Sequence, residues 1–149
     1  MIQSVFIKDS QGKGQGVFAQ KPLALGETVV VGRPIEVLAT RTDYSFQVDI
    51  DKHVQLDKPA RIINHSCEPN LGVRNNKFGG YDFVALRKIK KGEELTWDYC
   101  MTEFVSIAVE GQCLCSSNLC RGTIRGFICL KDDIREGYGE FIGEYLKRY

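Results

Sequence analysis

Along most of this chain the apolar residues fall in short runs or alternate with polar ones, a pattern of strands rather than helices. "SVFIK" (4–8) is one such run. "GVFAQKPLALGETVVV" (16–31) reads as two strands around a turn marked by Pro and Gly, the second rich in valine. "YSFQVDI" (44–50) and "HVQL" (53–56) alternate, with "DK" as a tight turn between them. "LGVRNN" and "YDFVALRKI" flank "KFGG", which predicts a hairpin with a glycine-bearing loop. "ELTW" (94–97), after the turn "KKGE", adds a further short strand.

Helical period is clear only at the C-terminal end. In "DDIREGYGEFIGEYLKRY" (132–149), Ile134, Tyr138, Phe141, Ile142, Tyr145, Leu146 and Tyr149 recur at helical spacing. Asp133 and Glu136 predict a start of capping-box type, and Lys147 and Arg148 suit the dipole of a last turn. Gly137, Gly139 and Gly143 each weaken the helix by roughly 1 kcal/mol relative to alanine, so it needs tertiary packing. A helix that covers the core is the simpler expectation; a partner-binding or substrate-lining face is the other.

The length of 149 residues suits one domain with its own core. A net charge of +1, with "LRKIKKGEE" (86–94) as the most basic stretch, lacks the electrostatic footprint of a nucleic-acid binder. No apolar run approaches the ~20 residues that span a bilayer, and the first residues do not resemble a signal peptide. A reducing compartment is therefore expected. There the six cysteines are metal ligands or buried thiols rather than disulfides.

Three of the six stand in "CLCSSNLCRG", as Cys113, Cys115 and Cys120. A structural zinc ion takes four S or N ligands in a tetrahedron, at about 2.3 Å for sulfur. The trio supplies three, and spacing alone leaves the fourth open among Cys67, His65, His53, Cys100 and Cys129. Cys100 and Cys129, in apolar surroundings, are expected to be small buried hydrophobes. "GKGQGVFA" (12–19) is not a dinucleotide fingerprint, because its spacing differs and it continues as a strand. By itself it is a glycine-rich turn.

Taken in order, "GQGVFA", "YSFQVDI", "RIINHSCEPN", "GEELTWDY" and "CLCSSNLCRG" resemble the motifs of SET-domain protein lysine methyltransferases with a post-SET zinc segment. The resemblance runs from about residue 4 to 126, and the C-terminal helix lies outside it. It implies a mainly β fold of the β-clip type: small curved sheets and a pseudoknot, in which the "NHSC" segment threads near "ELTWDY". A SET domain over 1–106, a post-SET zinc segment over 107–126 and a C-terminal extension with an amphipathic helix over 127–149 follow. The short stretch from Gly32 to Arg61 implies a minimal insert, and the whole resembles a stand-alone SET protein without a pre-SET region.

The family's chemistry carries over residue by residue. S-adenosyl-L-methionine would bind one face and leave as S-adenosyl-L-homocysteine, while a protein lysine enters by a narrow channel from the other. Tyr99 matches the catalytic tyrosine. Gly14, Gln15, Gly16, Tyr44, Arg61, Asn64, His65 and Leu114 match positions beside the cofactor, Leu114 against the adenine. For Arg61, a buried hydrogen-bonded arginine remains the alternative. Zinc would be held by Cys67, Cys113, Cys115 and Cys120, which makes Cys67 a ligand and not a nucleophile. Asp98 is expected to be structural rather than a general base. Trp97, with Tyr44, would tune substrate and product, and Trp97 stands where many relatives have phenylalanine or tyrosine. Lacking a hydroxyl, it favours addition of more than one methyl group.

The implied partner is a protein with an exposed lysine, a histone tail by default. Methylation of a non-histone protein and a catalytically silent binding module are the alternatives. No direct nucleic-acid or membrane binding is expected. A homodimer that builds the substrate groove from two chains is conceivable for so small an insert. Localisation would be nuclear in a eukaryotic host and cytoplasmic otherwise.

Overall fold

The protein was analysed as a computed structural model that describes residues 4–107 and 112–149. Residues 108–111 of the expected zinc segment lie outside the described residues. Strands β1 (Val5–Ser10) and β2 (Gly14–Ala19) form a hairpin. Its turn uses Gly12 and Gly14 at φ of 73° and 72°, a region that side chains other than glycine enter reluctantly. Strands β3 (Thr28–Gly32), β4 (Pro34–Leu38), β5 (Ser45–Asp49) and β6 (Lys52–Leu56) follow. After them come β7 (Asn64–His65), β8 (Leu71–Asn75), β9 (Tyr81–Ala85) and β10 (Thr96–Trp97). One three-stranded antiparallel sheet has the order β3-β9-β8, and a second has the order β4-β6-β5. The predicted strands are present. The additions are β7, within the motif segment, and β4, where Ile35-Glu36-Val37 alternates but Pro34 at its head counts against a strand.

The crossing that resemblance implied is the parallel pair of β7 and β10, with Thr96 opposite Asn64 and Trp97 opposite His65. The Ser66 amide donates to the Trp97 carbonyl at 3.0 Å, and the Trp97 indole N–H donates to the Ile63 carbonyl at 3.1 Å. Asn70 locks the same crossing: its side-chain amide donates to the Glu94 carbonyl and its oxygen accepts the Thr96 amide, both at 2.9 Å.

The C-terminal extension is not one helix. Helix α1 covers only Asp132–Tyr138. Lys131 occupies the cap position and no side chain caps it, so the Asp133/Glu136 box does not form. Gly139, at φ of 56°, ends the helix, and its N–H returns to the carbonyls of Arg135 and Glu136. A 3-10 turn over Glu144–Arg148 carries Tyr145 and Leu146, while Phe141, Ile142 and Tyr149 flank it. The half-buried Ile134 and Tyr138 of the helix pack against the core, and the segment after it supplies the buried positions. Ile142, Tyr145 and Leu146 enter the same core as Val73, Tyr81, Phe83 and Leu95. The Gly143 amide donates to the Met101 carbonyl at 2.7 Å, and the Tyr145 hydroxyl donates to the Thr102 carbonyl.

Leu146 is fully buried, so Leu146→Ala leaves a cavity. We expect a loss of about 2–5 kcal/mol in urea unfolding. An unchanged midpoint would show that the extension does not share the core.

Candidate active site

Beyond the crossing, the chain turns sharply. Asp98 caps a 3-10 turn over Tyr99–Met101 by accepting the Cys100 amide at 2.9 Å. Its carboxylate is fully buried and also receives Arg121, at 2.8 Å, and the Tyr138 hydroxyl. A buried carboxylate surrounded by donors is a fastening and not a proton shuttle, as the sequence suggested. The turn directs Tyr99 toward two aromatic neighbours: the Trp97 ring lies 4.9 Å away and stacks in turn on Phe46 at 5.1 Å.

Gly14, Gln15, Tyr44, Arg61, Asn64 and Tyr99 line one cleft of about 410 Å³. Tyr44, Arg61 and Tyr99 also line an adjoining constriction of about 10 Å³, together with Phe46, Trp97 and Glu103. That is about the room of one water. Glu103 is buried; it accepts the Gln47 amide at 3.0 Å and the Thr102 hydroxyl at 2.5 Å, and its other oxygen lies 3.5 Å from Arg41. Burial raises its pKa in spite of these partners. Burial, with Tyr44 beside it, also holds the Tyr99 phenol above the usual range, so Tyr99 keeps its proton at neutral pH.

The other expected residues sit close by without lining this cleft. Gly16 is where a β-carbon would lie 2.5 Å from a Glu94 oxygen and 3.2 Å from the Asn64 amide. The missing side chain makes room for these two protein groups. Asn64 donates to the Gln15 carbonyl and to Glu94, both at 2.9 Å, and Lys13 pairs with Glu94 at 2.8 Å. Lys13, Glu94 and Arg121 lie inside quoted motifs but carry no role in the sequence reading, and Glu103 lies outside them. Only Arg121, directly after Cys120, offered a positional hint. Leu114 is exposed on a neighbouring cleft of about 520 Å³ that shares Lys13. Arg61 reaches the Leu56 carbonyl at 3.5 Å, a contact too long to satisfy it fully.

His65 is buried. Its Nδ1 accepts the Tyr99 amide at 3.1 Å, which leaves the proton on Nε2, 3.5 Å from the Cys67 sulfur. Burial, only partly opposed by Asp98, lowers its pKa to about 4. It is therefore neutral, oriented and occupied at both nitrogens, which suits neither a base nor a metal ligand.

The sulfurs of Cys67, Cys113, Cys115 and Cys120 all lie within 4.8 Å of one another. Sulfurs about 2.3 Å from a shared tetrahedral zinc stand a little under 4 Å apart, so the four fit such an ion. Burial pushes Cys67 up well above the usual thiol range and Cys113 up to about 11. Burial acts on Cys115 as well, but backbone N–H groups from Cys67 and Ser117 outweigh it and bring that thiol down to about 7. Four thiolates in so small a space need a cation. His53 and Cys100 lie outside the cluster, and so does Cys129, which is exposed rather than buried as expected. Cys100 is buried as expected.

Comparison with known proteins decides the family. A family model described as the SET domain matches residues 14–100. The chain belongs to the SET-domain family. Histone-lysine N-methyltransferase set-2 of Caenorhabditis elegans is 30% identical over 129 residues, covering 73% of this chain and 8% of that protein. Histone-lysine N-methyltransferase SETD1B of Homo sapiens is 33% identical over 129 residues, covering 73% of this chain and 6% of that protein. This SET chain thus spans less than a tenth of the length of either relative. Among solved structures, that of KRYPTONITE in complex with mCHH DNA, H3(1-15) peptide and SAH superposes with a TM-score of 0.62. It has 26% sequence identity and covers 84% of this chain and 30% of that one.

One equivalent of zinc per chain is expected by elemental analysis. Cys67→Ser and Cys120→Ser should each lower that content, and Cys129→Ser should not. Full zinc in Cys67→Ser would remove Cys67 from the ligand set.

Proposed function

We propose that this SET chain transfers a methyl group from S-adenosyl-L-methionine to the side-chain amine of a protein lysine, with a histone tail as substrate. The observation that carries the reading is the junction of the 410 Å³ cleft with the narrow aromatic constriction at Tyr99. The cleft has room for a nucleoside-sized ligand, and the constriction admits something as thin as an alkyl amine. The relatives named as histone-lysine methyltransferases, and the neighbour solved with SAH and an H3 peptide, support the same assignment.

The residues suit the chemistry. A free lysine has a pKa near 10.4 and must lose its proton before it attacks. Phe46, Trp97 and Tyr99 give it an aromatic wall whose burial disfavours the ammonium form, with Asp43, Arg61 and Glu103 as charged groups at the same constriction. The bound cofactor supplies an electrophilic methyl on a sulfonium. Tyr99, protonated and held by its turn, orients the amine and the reacting methyl; it does not take the proton. Alignment of the two reactants supplies much of the acceleration. Gly14, Gln15, Tyr44, Arg61 and Asn64 are assigned to the cofactor cleft, and Leu114 and His65 to the adenine end. Zinc on the four cysteines would fix the segment that carries Leu114 as a wall. In a eukaryotic host the histone substrate places the protein in the nucleus.

The decisive test is transfer of labelled methyl to purified histones and to a whole-cell extract, by wild type and Tyr99→Phe. Label on histones that is lost in Tyr99→Phe is expected. Label confined to a non-histone protein would overturn the histone assignment. Cofactor binding without any transfer would overturn the enzyme reading.

Product number follows from Trp97. Its one polar atom is committed to the Ile63 carbonyl, so it offers nothing to retain a water beside the amine. Wild type is expected to add more than one methyl group, and Trp97→Tyr to shift products toward monomethyl-lysine. An unchanged distribution by mass spectrometry would reject this role.

A further inference from the structure

The residues that hold Asp98 come from three separate parts of the chain. The Cys100 amide belongs to the catalytic turn itself. Arg121 follows the cysteine cluster, and its own amide donates to the Cys67 sulfur at 3.4 Å. Tyr138 is the last residue of α1, outside both the SET-domain match and the motifs that carry the family resemblance. It is half-buried, and its hydroxyl donates to Oδ2 of Asp98, the oxygen not used by the Cys100 amide. His65 cannot substitute: its Nδ1 lies 3.6 Å from Asp98 but is engaged by the Tyr99 amide. Two anchors fix where Tyr138 stands. Gly139 stops the helix directly after it, and Arg135, one turn earlier, lies over the Phe127 ring at 4.3 Å and donates to the Phe127 carbonyl at 2.8 Å.

We propose that Tyr138 is a positioning residue for Tyr99, acting through Asp98, so that the C-terminal extension is a working part of the active site. The proposal rests on the methyltransferase reading above and adds a residue to it. The Asp98 carboxylate sets the direction of the turn on which Tyr99 sits. With Tyr138 removed, Oδ2 keeps only Arg121, and the carboxylate can rotate toward it. The turn then loses its fixed cap, and the Tyr99 phenol loses its alignment. Binding of the cofactor, which touches neither Asp98 nor Tyr138, should be indifferent to this loss.

Tyr138→Phe removes the hydroxyl and keeps the ring. The expected result is a fall in kcat of roughly tenfold, an alignment effect, with KM for S-adenosyl-L-methionine within about twofold and zinc content unchanged. Hydrogen exchange supplies a readout independent of turnover. The Cys100 and Met101 amides should exchange faster in Tyr138→Phe, while the Phe83 and Val73 amides of the β8-β9 pair stay as in wild type. Ile134→Ala, on the same helix but with no hydrogen bond to Asp98, is the control for a loosened helix and should leave kcat and Cys100 exchange near wild type. An unchanged kcat with unchanged Cys100 exchange would overturn the proposal. So would faster exchange spread evenly over the core, or an Ile134→Ala loss equal to that of Tyr138→Phe. If wild type transfers no methyl at all, the function reading fails, and the exchange pattern alone decides whether Tyr138 holds the turn.

Discussion

Two strands of two residues each, Asn64–His65 and Thr96–Trp97, hold the rest of the site in place. Their parallel pairing joins segments more than thirty residues apart, so loop closure works against it. Four or five hydrogen bonds do not compensate by themselves. The crossing persists because everything around it is buried and satisfied: Asn70 bridges both sides, Trp97 finds the Ile63 carbonyl, and His65 finds the Tyr99 amide. A polar network that is complete rigidifies its surroundings, whereas an incomplete one would destabilise them. The turn over Tyr99–Met101 inherits its direction from this crossing.

His65 joins two features that are usually described separately. One nitrogen faces the catalytic turn and the other faces Cys67. Arg121 repeats the connection by a second route, its backbone to Cys67 and its side chain to Asp98. The cysteine cluster is thus not a remote staple. Displacement of Cys67 would move two groups that touch the turn. The ring's depressed pKa keeps it in the one state, neutral with Nε2 protonated, that can serve both sides.

Much of this was legible in the sequence, and the exceptions have physical causes. Alternation and valine-rich runs marked strands such as Thr28–Gly32 and Tyr81–Ala85, because their apolar faces line one core. β4 escaped although Ile35-Glu36-Val37 alternates, because the run is short and headed by Pro34. The C-terminal period of 3.6 was real but overextended: Gly139 breaks it, and a 3-10 turn resumes burial in nearly the same phase. The cysteine trio announced a metal site, yet spacing could not select Cys67, since only the folded crossing carries it to the others. Asp98 reads as structural, and its buried, hydrogen-bonded carboxylate agrees; its pairing with Arg121 and Tyr138 was not legible, because long-range hydrogen bonds leave no periodic trace.

The burial of Ile142, Tyr145 and Leu146 has a consequence for how the chain is made. On the ribosome, strands up to β10 emerge well before these three side chains. Until they arrive, the core that they share with Tyr81 and Met101 lacks one wall. The nascent chain can form its hairpins early, but its core closes only after these side chains have emerged. During that interval it presents apolar strands with an open side, the kind of surface that chaperones bind.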